Sequence, residues 1–470
     1  MRKRVIYLFV SILLSIPVDF HAWIVTGQEE DVTSIHANSV IVDSHIDTLM
    51  KVVDPDTWLP VTDIGKETNF EVDIPKMQAA GLSVPFFAAF TSGFYDNNPR
   101  SISNTLASIN ALYWIEKNNT DQLEVTSTFT EIQAAIEKGK IAAVPTIEGA
   151  YSLEEHNAIE LIRQYDDLGI TAIGFTWNYS NALGEGADRV YNDPVSTPSG
   201  DGLTELGVEV AEEMNRIGMM IDVSHMAERT FWDVMEVSKA PVIATHSGVN
   251  ALRNHPRNLT DEQLLALAEN GGVVGIVFYP QFLTDDREAM VSDIVDHIDY
   301  AVNLIGIDHV ALGSDYDGAE LPNDLKDASE LYKITEELIE RDYSVKDIKK
   351  ILGANTLRVL RDVEKAADPD QMNKGKSPTI IPAYEMGEMM DSRTPLFTAK
   401  LEQEEGHAID IASLRIIVDG IPYEPEFNEQ SSLVSLQMND VLKERFHVVT
   451  VEAADETGRI NRETRIVWME

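Results

Sequence analysis

The sequence predicts an α/β protein: a (β/α)8 TIM-type barrel followed by a small C-terminal all-β immunoglobulin-like sandwich. Short apolar runs rich in Val, Ile and Phe recur through the first three quarters of the chain, with amphipathic segments between them. Several of those runs end in a histidine or a carboxylate. From about residue 395 the pattern becomes an alternation of apolar and polar residues, the signature of half-buried strands.

The chain opens with MRKRVIYLFVSILLSIPVDFHAW, where Arg2, Lys3 and Arg4 precede an apolar core from Val5 to Val18. That core is shorter than the ~20 residues a bilayer span needs, which is the make-up of a secretory signal. Removal of residues 1–22 is expected, with export to the periplasm or outside the cell and no membrane span remaining. The chain has no cysteine, so export comes without disulfides and without a thiol nucleophile. With 79 acidic against 37 basic residues the net charge is −42, which argues against nucleic acid as a partner.

Eight runs suit the strands of a barrel: SVIVDSH (39–45), SVPFFAAF (83–90), IAAVPTIEG (141–149), TAIGFTW (171–177), GMMIDVSH (218–225), PVIATHSG (241–248), GGVVGIVFY (271–279) and HVALGSDYDG (309–318). They are apolar on both faces, as strands of a covered parallel sheet must be. Helical patterns lie between them, among them NAIELIRQYDDLG (157–169), GVEVAEEMNRIG (207–218) and TDEQLLALAENGG (260–272), the last with Thr260 as its N-cap. Alternation across residues 33–368 fits a closed barrel. An open doubly wound sheet would call for a Gly-rich phosphate loop after the first strand, and none follows. LGANTLRVLRDVEK (352–365) reads as the final helix, residues 369–394 as a linker, and 395–470 as the sandwich, with DETGRIN as a hairpin turn.

In such a barrel chemistry gathers at the C-terminal ends of the strands. His45 and Asp47 follow the first run and Glu148 ends the third. His225 ends the fifth, His246 the sixth, and Asp315 the eighth. Each has a plain alternative, a hydrogen-bonded core histidine or an aspartate capping a helix. Together, three imidazoles and three carboxylates on one rim fit a site for two zinc ions or similar divalent ions.

The motifs DSHIDT, PTIEGA, IDVSHM, ATHSG, HPRNLTD and GSDYDG, in that order between about residues 35 and 365, resemble the membrane (renal) dipeptidase family of zinc metallopeptidases. The resemblance implies two Zn2+, hydrolysis of dipeptides or short peptides through a metal-bridging hydroxide, and a homodimer. It implies that His45 and Asp47 bind one metal, that His225 and His246 bind the other, and that Glu148 bridges both. It implies Arg257, with Asn258 beside it, as a substrate-binding element and Asp315 as the acid–base residue. One position departs from the family, which often carries a histidine near the end of the fourth strand. Here TAIGFTWNYSNALGEG places Trp177 there. Trp offers one N–H donor and no basic nitrogen, so Trp177 is read as a substrate-binding position without proton chemistry, or equally as a packing residue, with Asn178 or Asn181 as replacement donors. Two other functions fit less well: a two-metal barrel amidohydrolase acting on an N-acyl amino acid or lactone, and a non-catalytic envelope binding protein. Intact residues at all five metal positions speak against the second.

Overall fold

The computed structural model describes residues 32–92, 99–187, 200–285, 288–368, 376–404 and 406–470; the signal-like segment 1–22 lies outside them. The apolar runs form strands β1 (Ile41–Ile46), β2 (Leu82–Phe90), β3 (Leu123–Val125), β4 (Ile141–Glu148), β5 (Ala172–Gly174), β6 (Met220–Asp222), β7 (Ile243–Ser247), β8 (Val273–Ile276) and β9 (Val310–Leu312). All but β3 follow one another in a parallel sheet, β1-β2-β4-β5-β6-β7-β8-β9, and β3 pairs with β4 at its side. A parallel bridge between Ile46 and Tyr316 returns the sheet to β1 and closes the barrel. β1 and β4 are buried along their whole length, as runs without polar alternation require.

Several strands are shorter than the apolar runs that encode them. TAIGFTW contributes only Ala172–Gly174, and HVALGSDYDG only Val310–Leu312. Beyond those points backbone groups bond to loops instead: Phe175 O accepts from Ala150 N at 3.0 Å and from Asn181 Nδ2 at 2.6 Å. The helices start where side chains can satisfy their free N–H groups. Thr260 accepts from Gln263 N while Gln263 accepts from Thr260 N, a reciprocal cap that opens the helix Asp261–Glu269.

The two mouths of the barrel differ. Toward the N-terminal mouth, Val42, Val84, Val144, Ala172, Met220, Ile243, Val273 and Ala311, one from each barrel strand, share a core with Val359, Leu360 and Val363. Those last three belong to the helix Asn355–Ala366, which therefore plugs that end. Higher up, Ser44 donates its hydroxyl to Thr245 O at 2.6 Å and Leu312 O at 2.8 Å, tying three strands across the interior. Gly313 makes room for this link, because a Cβ there would lie 1.8 Å from Thr245 O.

The C-terminal strands are β10 (Thr379–Pro382), β11 (Glu388–Met390), β12 (Leu396–Glu402), β13 (Ile409–Val418), β14 (Ile421–Tyr423), β15 (Glu426–Asn428), β16 (Leu433–Gln437), β17 (Phe446–Asp455) and β18 (Ile460–Met469). They make two sheets, β10-β12-β16-β15 and β11-β18-β17-β13-β14, whose inner faces share a core of Phe397, Leu401 and Val434 against Ile416, Val451 and Val467. β10 and β11 fall inside the stretch 369–394 that reads as linker from its Pro and Gly content. Both are short edge strands, where such residues are tolerated.

These sheets are docked on the barrel, not tethered to it. Val32–Glu470 is one compact unit, and Phe446, Val448 and Ile466 belong to the barrel's own hydrophobic core. The helix Ala158–Asp167 presents Gln164, fully buried, whose amide donates to Ile417 O at 3.1 Å and Thr450 Oγ1 at 2.9 Å and accepts from Gly420 N at 2.6 Å. Asp167 accepts from Arg462 Nε at 2.8 Å and Thr464 Oγ1 at 2.7 Å. Gln164→Leu strands a buried N–H and a buried carbonyl, so we expect a loss of about 2–4 kcal/mol, read as a lower melting temperature by calorimetry.

Candidate active site

β1 and β9 meet at the closing seam, and the seam carries two of the acids. Asp315 N donates to His45 O at 3.1 Å and Asp47 N to Tyr316 O at 2.8 Å, which brings the two aspartates together. Asp315 has φ +66° and His225 has φ +64°, left-handed conformations that cost a side-chain-bearing residue energy and persist only where surrounding contacts impose them. Gly318 permits the approach: a Cβ there would lie 2.1 Å from Asp47 Oδ2 and 2.7 Å from Asp315 Oδ1.

The carboxylate of Glu148 lies among the histidines. Its Oε1 is 2.9 Å from His225 Nε2 and 3.5 Å from His246 Nε2, and its Oε2 is 3.4 Å from His45 Nε2. Asp47 Oδ2 is 3.4 Å from the same His45 nitrogen. The donor atoms fall into three groups, His45–Asp47–Asp315, Glu148–His225–His246 and, sharing a histidine with each, His45–Asp222–His246, with atoms in each group within 4.8 Å of one another.

Their outer hydrogen bonds fix the tautomers. His225 Nδ1 lies 2.9 Å from Asn178 Oδ1, an acceptor, so the ring proton sits on Nδ1. Thr245 gives its hydroxyl proton to Asp222 Oδ2 at 2.6 Å and so accepts from His246 Nδ1 at 2.9 Å. Both Nε2 atoms are therefore bare lone pairs, and they face each other at 2.8 Å beside the Glu148 oxygen. Ring nitrogens and a carboxylate oxygen converging in this way make a set of donors that a cation would satisfy. His45 Nε2 and Asp47 Oδ1 are likewise buried without a hydrogen-bond partner. The donor set, imidazole and carboxylate, is that of zinc and related divalent ions, and the residues fit.

Electrostatics agree. Burial lowers the pKa of His225 well below the usual histidine value, and Arg257 and His45 push further the same way. Burial and the charges of His45 and Arg257 do the same to His246. Both rings are neutral and able to ligate. Burial also opposes charge on His45, but Glu148 and Asp47 outweigh it and raise its pKa well above the usual value. Desolvation, reinforced by Asp47, raises the Asp315 carboxyl well above the ordinary aspartate range.

The six rim residues thus come together. A cavity of about 450 Å³ contains Asp47, Glu148, Trp177, Asn178, His225 and Asp315. A larger one of about 700 Å³ shares His225 and contains Arg257. Arg257 is buried, gives Nη2–H to His246 O at 3.0 Å and stacks over Phe282 at 5.4 Å. Asn258, next to it, spends its amide protons on Arg253 O and Phe282 O and braces the loop. Trp177 stands with its ring 6.0 Å from His225. Of the two asparagines read as replacement donors, Asn178 orients His225, while Asn181 holds a turn through Phe175 O and Leu183 N. Sequence reasoning passed over Asp222, Thr245 and Asn178 as orienting residues. A signal existed for one of them: Asp222 is a carboxylate inside an apolar run, three residues ahead of a histidine.

A parallel barrel with imidazoles and carboxylates gathered at the C-terminal ends of its strands defines a metal-dependent hydrolase. The model of the membrane dipeptidase family (peptidase family M19) matches residues 29–374. Dipeptidase aclJ of Aspergillus oryzae is 33% identical over 307 residues, 63% of this chain and 71% of that one. The crystal structure of a metallopeptidase from Rhodobacter sphaeroides, liganded with a phosphinate mimic of the dipeptide L-Ala-D-Ala, matches with TM-score 0.60 at 26% identity over 69% of this chain and 100% of that one. The probable dipeptidase PvdM from Pseudomonas aeruginosa shares the fold, with TM-score 0.65 at 23% identity over 72% of this chain and 98% of that one. The chain belongs to the membrane dipeptidase family: it is a metallopeptidase that hydrolyses dipeptides.

Thr245 Oγ1 also lies 3.5 Å from His45 Nδ1, so one hydroxyl, anchored by Asp222, touches a histidine of each group. Thr245→Val is expected to weaken divalent-metal affinity about 10- to 100-fold, measured by competition with a chromophoric chelator, with Thr245→Ser close to wild type.

Proposed function

We propose that this dipeptidase works with two zinc ions, one held by His45, Asp47 and Glu148 and the other by Glu148, His225 and His246, and that it acts outside the cytoplasm after losing residues 1–22. The observation that carries the binuclear reading is Glu148, one oxygen of which faces His225 and His246 while the other faces His45. Bound there, a pair of dications supplies Lewis acidity at the scissile carbonyl and an activated water at neutral pH.

The chain's own residues do the rest. Glu148 sets the separation of the two halves and offsets their mutual repulsion. Asn178 and Thr245 hold the ring protons of His225 and His246 on Nδ1, away from the reacting centre. Asp315 stands beside Asp47 at the closing seam, where it takes a proton from the attacking water and passes it to the departing amine nitrogen; burial and the neighbouring Asp47 raise its pKa well above the ordinary aspartate range, which favours holding the proton between the two steps. Arg257 offers a planar fork of donors, already braced by Phe282 and by His246 O, to the free carboxylate of the dipeptide. The dipeptide mimic bound by the Rhodobacter sphaeroides relative supports a ligand of this size. Export rests on the basic start and short apolar core of residues 1–22.

Dialysis against a strong chelator should abolish dipeptide hydrolysis and zinc should restore it, with two metals per chain by elemental analysis. Asp315→Asn should lower kcat by about 10²- to 10⁴-fold while metal content stays at two, since a general acid–base contributes on that scale. Full turnover in the chelated protein or in Asp315→Asn would end this assignment. N-terminal sequencing of the protein recovered from the medium or periplasm tests export, and a mature chain still starting at Met1 contradicts it.

A further inference from the structure

We infer that the metal-site pocket selects dipeptides whose amino-terminal residue carries an aromatic or large aliphatic side chain, received by Trp177 and Phe90. The inference rests on the dipeptidase reading above, with the substrate carboxylate at Arg257, and adds the substrate class.

The pocket is divided by the order of the strands. Phe90 ends β2 in register with Glu148 on β4, so both side chains point into the mouth. Trp177 follows β5 and meets Phe90 edge-on, ring centroids 5.3 Å apart at 81°, with Tyr179 a further 5.8 Å from Trp177. This aromatic wall stands directly beside Glu148 and His225, the atoms nearest the chemistry. The part of the rim that comes from β1, β9 and the loops after them is charged, and it adjoins Phe90 because β1 pairs with β2. Lys51 pairs with Asp317 at 3.3 Å, and Glu71 and Glu320 line the same side, an excess of negative charge.

A dipeptide zwitterion has one orientation that suits all three features. Its carboxylate goes to Arg257, in the adjoining cavity that shares His225. Its ammonium faces the acidic rim. The amino-terminal residue then occupies the 450 Å³ pocket, and its side chain is directed at Trp177 and Phe90. A glycine there leaves the aromatic wall in contact with water, and an aspartate sets a second carboxylate against an apolar face and an acidic rim.

The test is a panel of Phe-Ala, Leu-Ala, Gly-Ala and Asp-Ala, each with L- and D-alanine, hydrolysed by the zinc-loaded full-length enzyme. We expect kcat/KM for Phe-Ala and Leu-Ala to exceed that for Gly-Ala by about tenfold or more, the scale of discrimination an apolar pocket gives. Trp177→Ala should bring the Phe-Ala to Gly-Ala ratio to within about threefold, chiefly by raising KM for Phe-Ala, and Trp177→Phe should keep most of the preference. Hydrolysis of all four at similar kcat/KM, or a ratio that Trp177→Ala leaves unchanged in protein of wild-type metal content, overturns the inference while leaving the dipeptidase reading intact. Failure of the wild-type enzyme to cleave any of the four overturns that reading, and the inference with it.

Discussion

Where the ninth strand meets the first, two backbone hydrogen bonds do more than close a barrel. Asp315 N to His45 O and Asp47 N to Tyr316 O set the register between the ends of the two strands, and that register decides which side chains share the mouth. A slip of one residue would turn Asp47 to the other face, because successive side chains point opposite ways. The seam is further pinned by Asp43, whose Oδ1 accepts from Ser314 N at 2.9 Å and His45 N at 3.2 Å. The left-handed backbone at Asp315 and Asp317 follows from the same demand. The chain must leave β9, place one carboxylate over the mouth, and turn back within a few residues so that the other, Asp317, can bond to Thr48 Oγ1 at 2.7 Å and Glu71 N at 2.8 Å.

The upper interior is also where the chain concentrates charge in a medium that screens poorly. Burial raises the pKa of Asp43, Asp47 and Asp315 and lowers that of His225 and His246, in each case disfavouring the charged form. His45 runs the other way, because Glu148 and Asp47 both face its Nε2. That nitrogen lies between the two carboxylates, 3.4 Å from an oxygen of each. On the metal assignment proposed above, a divalent ion held there would compete with a proton on His45, which couples binding to deprotonation.

How much of this was legible in the sequence follows from what each residue does. His45, Asp47, Glu148, His225, His246 and Asp315 could be placed on one rim because each interrupts or follows an apolar run, and a parallel barrel sends all strand ends to one side. Strand lengths could not be read: hydrophobicity reports burial, and Phe175 is fully buried just beyond the end of β5. The contrast between Asn178 and Asn181 was invisible for a different reason. Both sit in one polar loop, and only its fold decides that one reaches His225 while the other closes a turn. Asn258 differs again. Its neighbour Arg257 turns toward His246, and its own amide is spent within the loop. The docking of the C-terminal sheets was hidden because Gln164 looks like any helix-surface glutamine until the backbone groups of Ile417 and Gly420 arrive from more than 250 residues away.

The same eight strands serve two ends with opposite requirements, and this explains how the site can be held. At the floor each strand contributes an apolar side chain to a core plugged by Val359, Leu360 and Val363. At the mouth the strands contribute imidazoles, carboxylates and left-handed turns, each of which costs folding energy. A strand is stiff along its length, so packing at the floor fixes direction and register at the mouth a few residues further on. The Ser44 hydroxyl, bonded to Thr245 O and Leu312 O, lies between the two regions and carries that constraint across the barrel. Thr245 is the residue that joins them. Its carbonyl is held by the interior link, and its hydroxyl bonds upward to His246 and Asp222, so the position of the histidines is inherited from the packing of the floor beneath them.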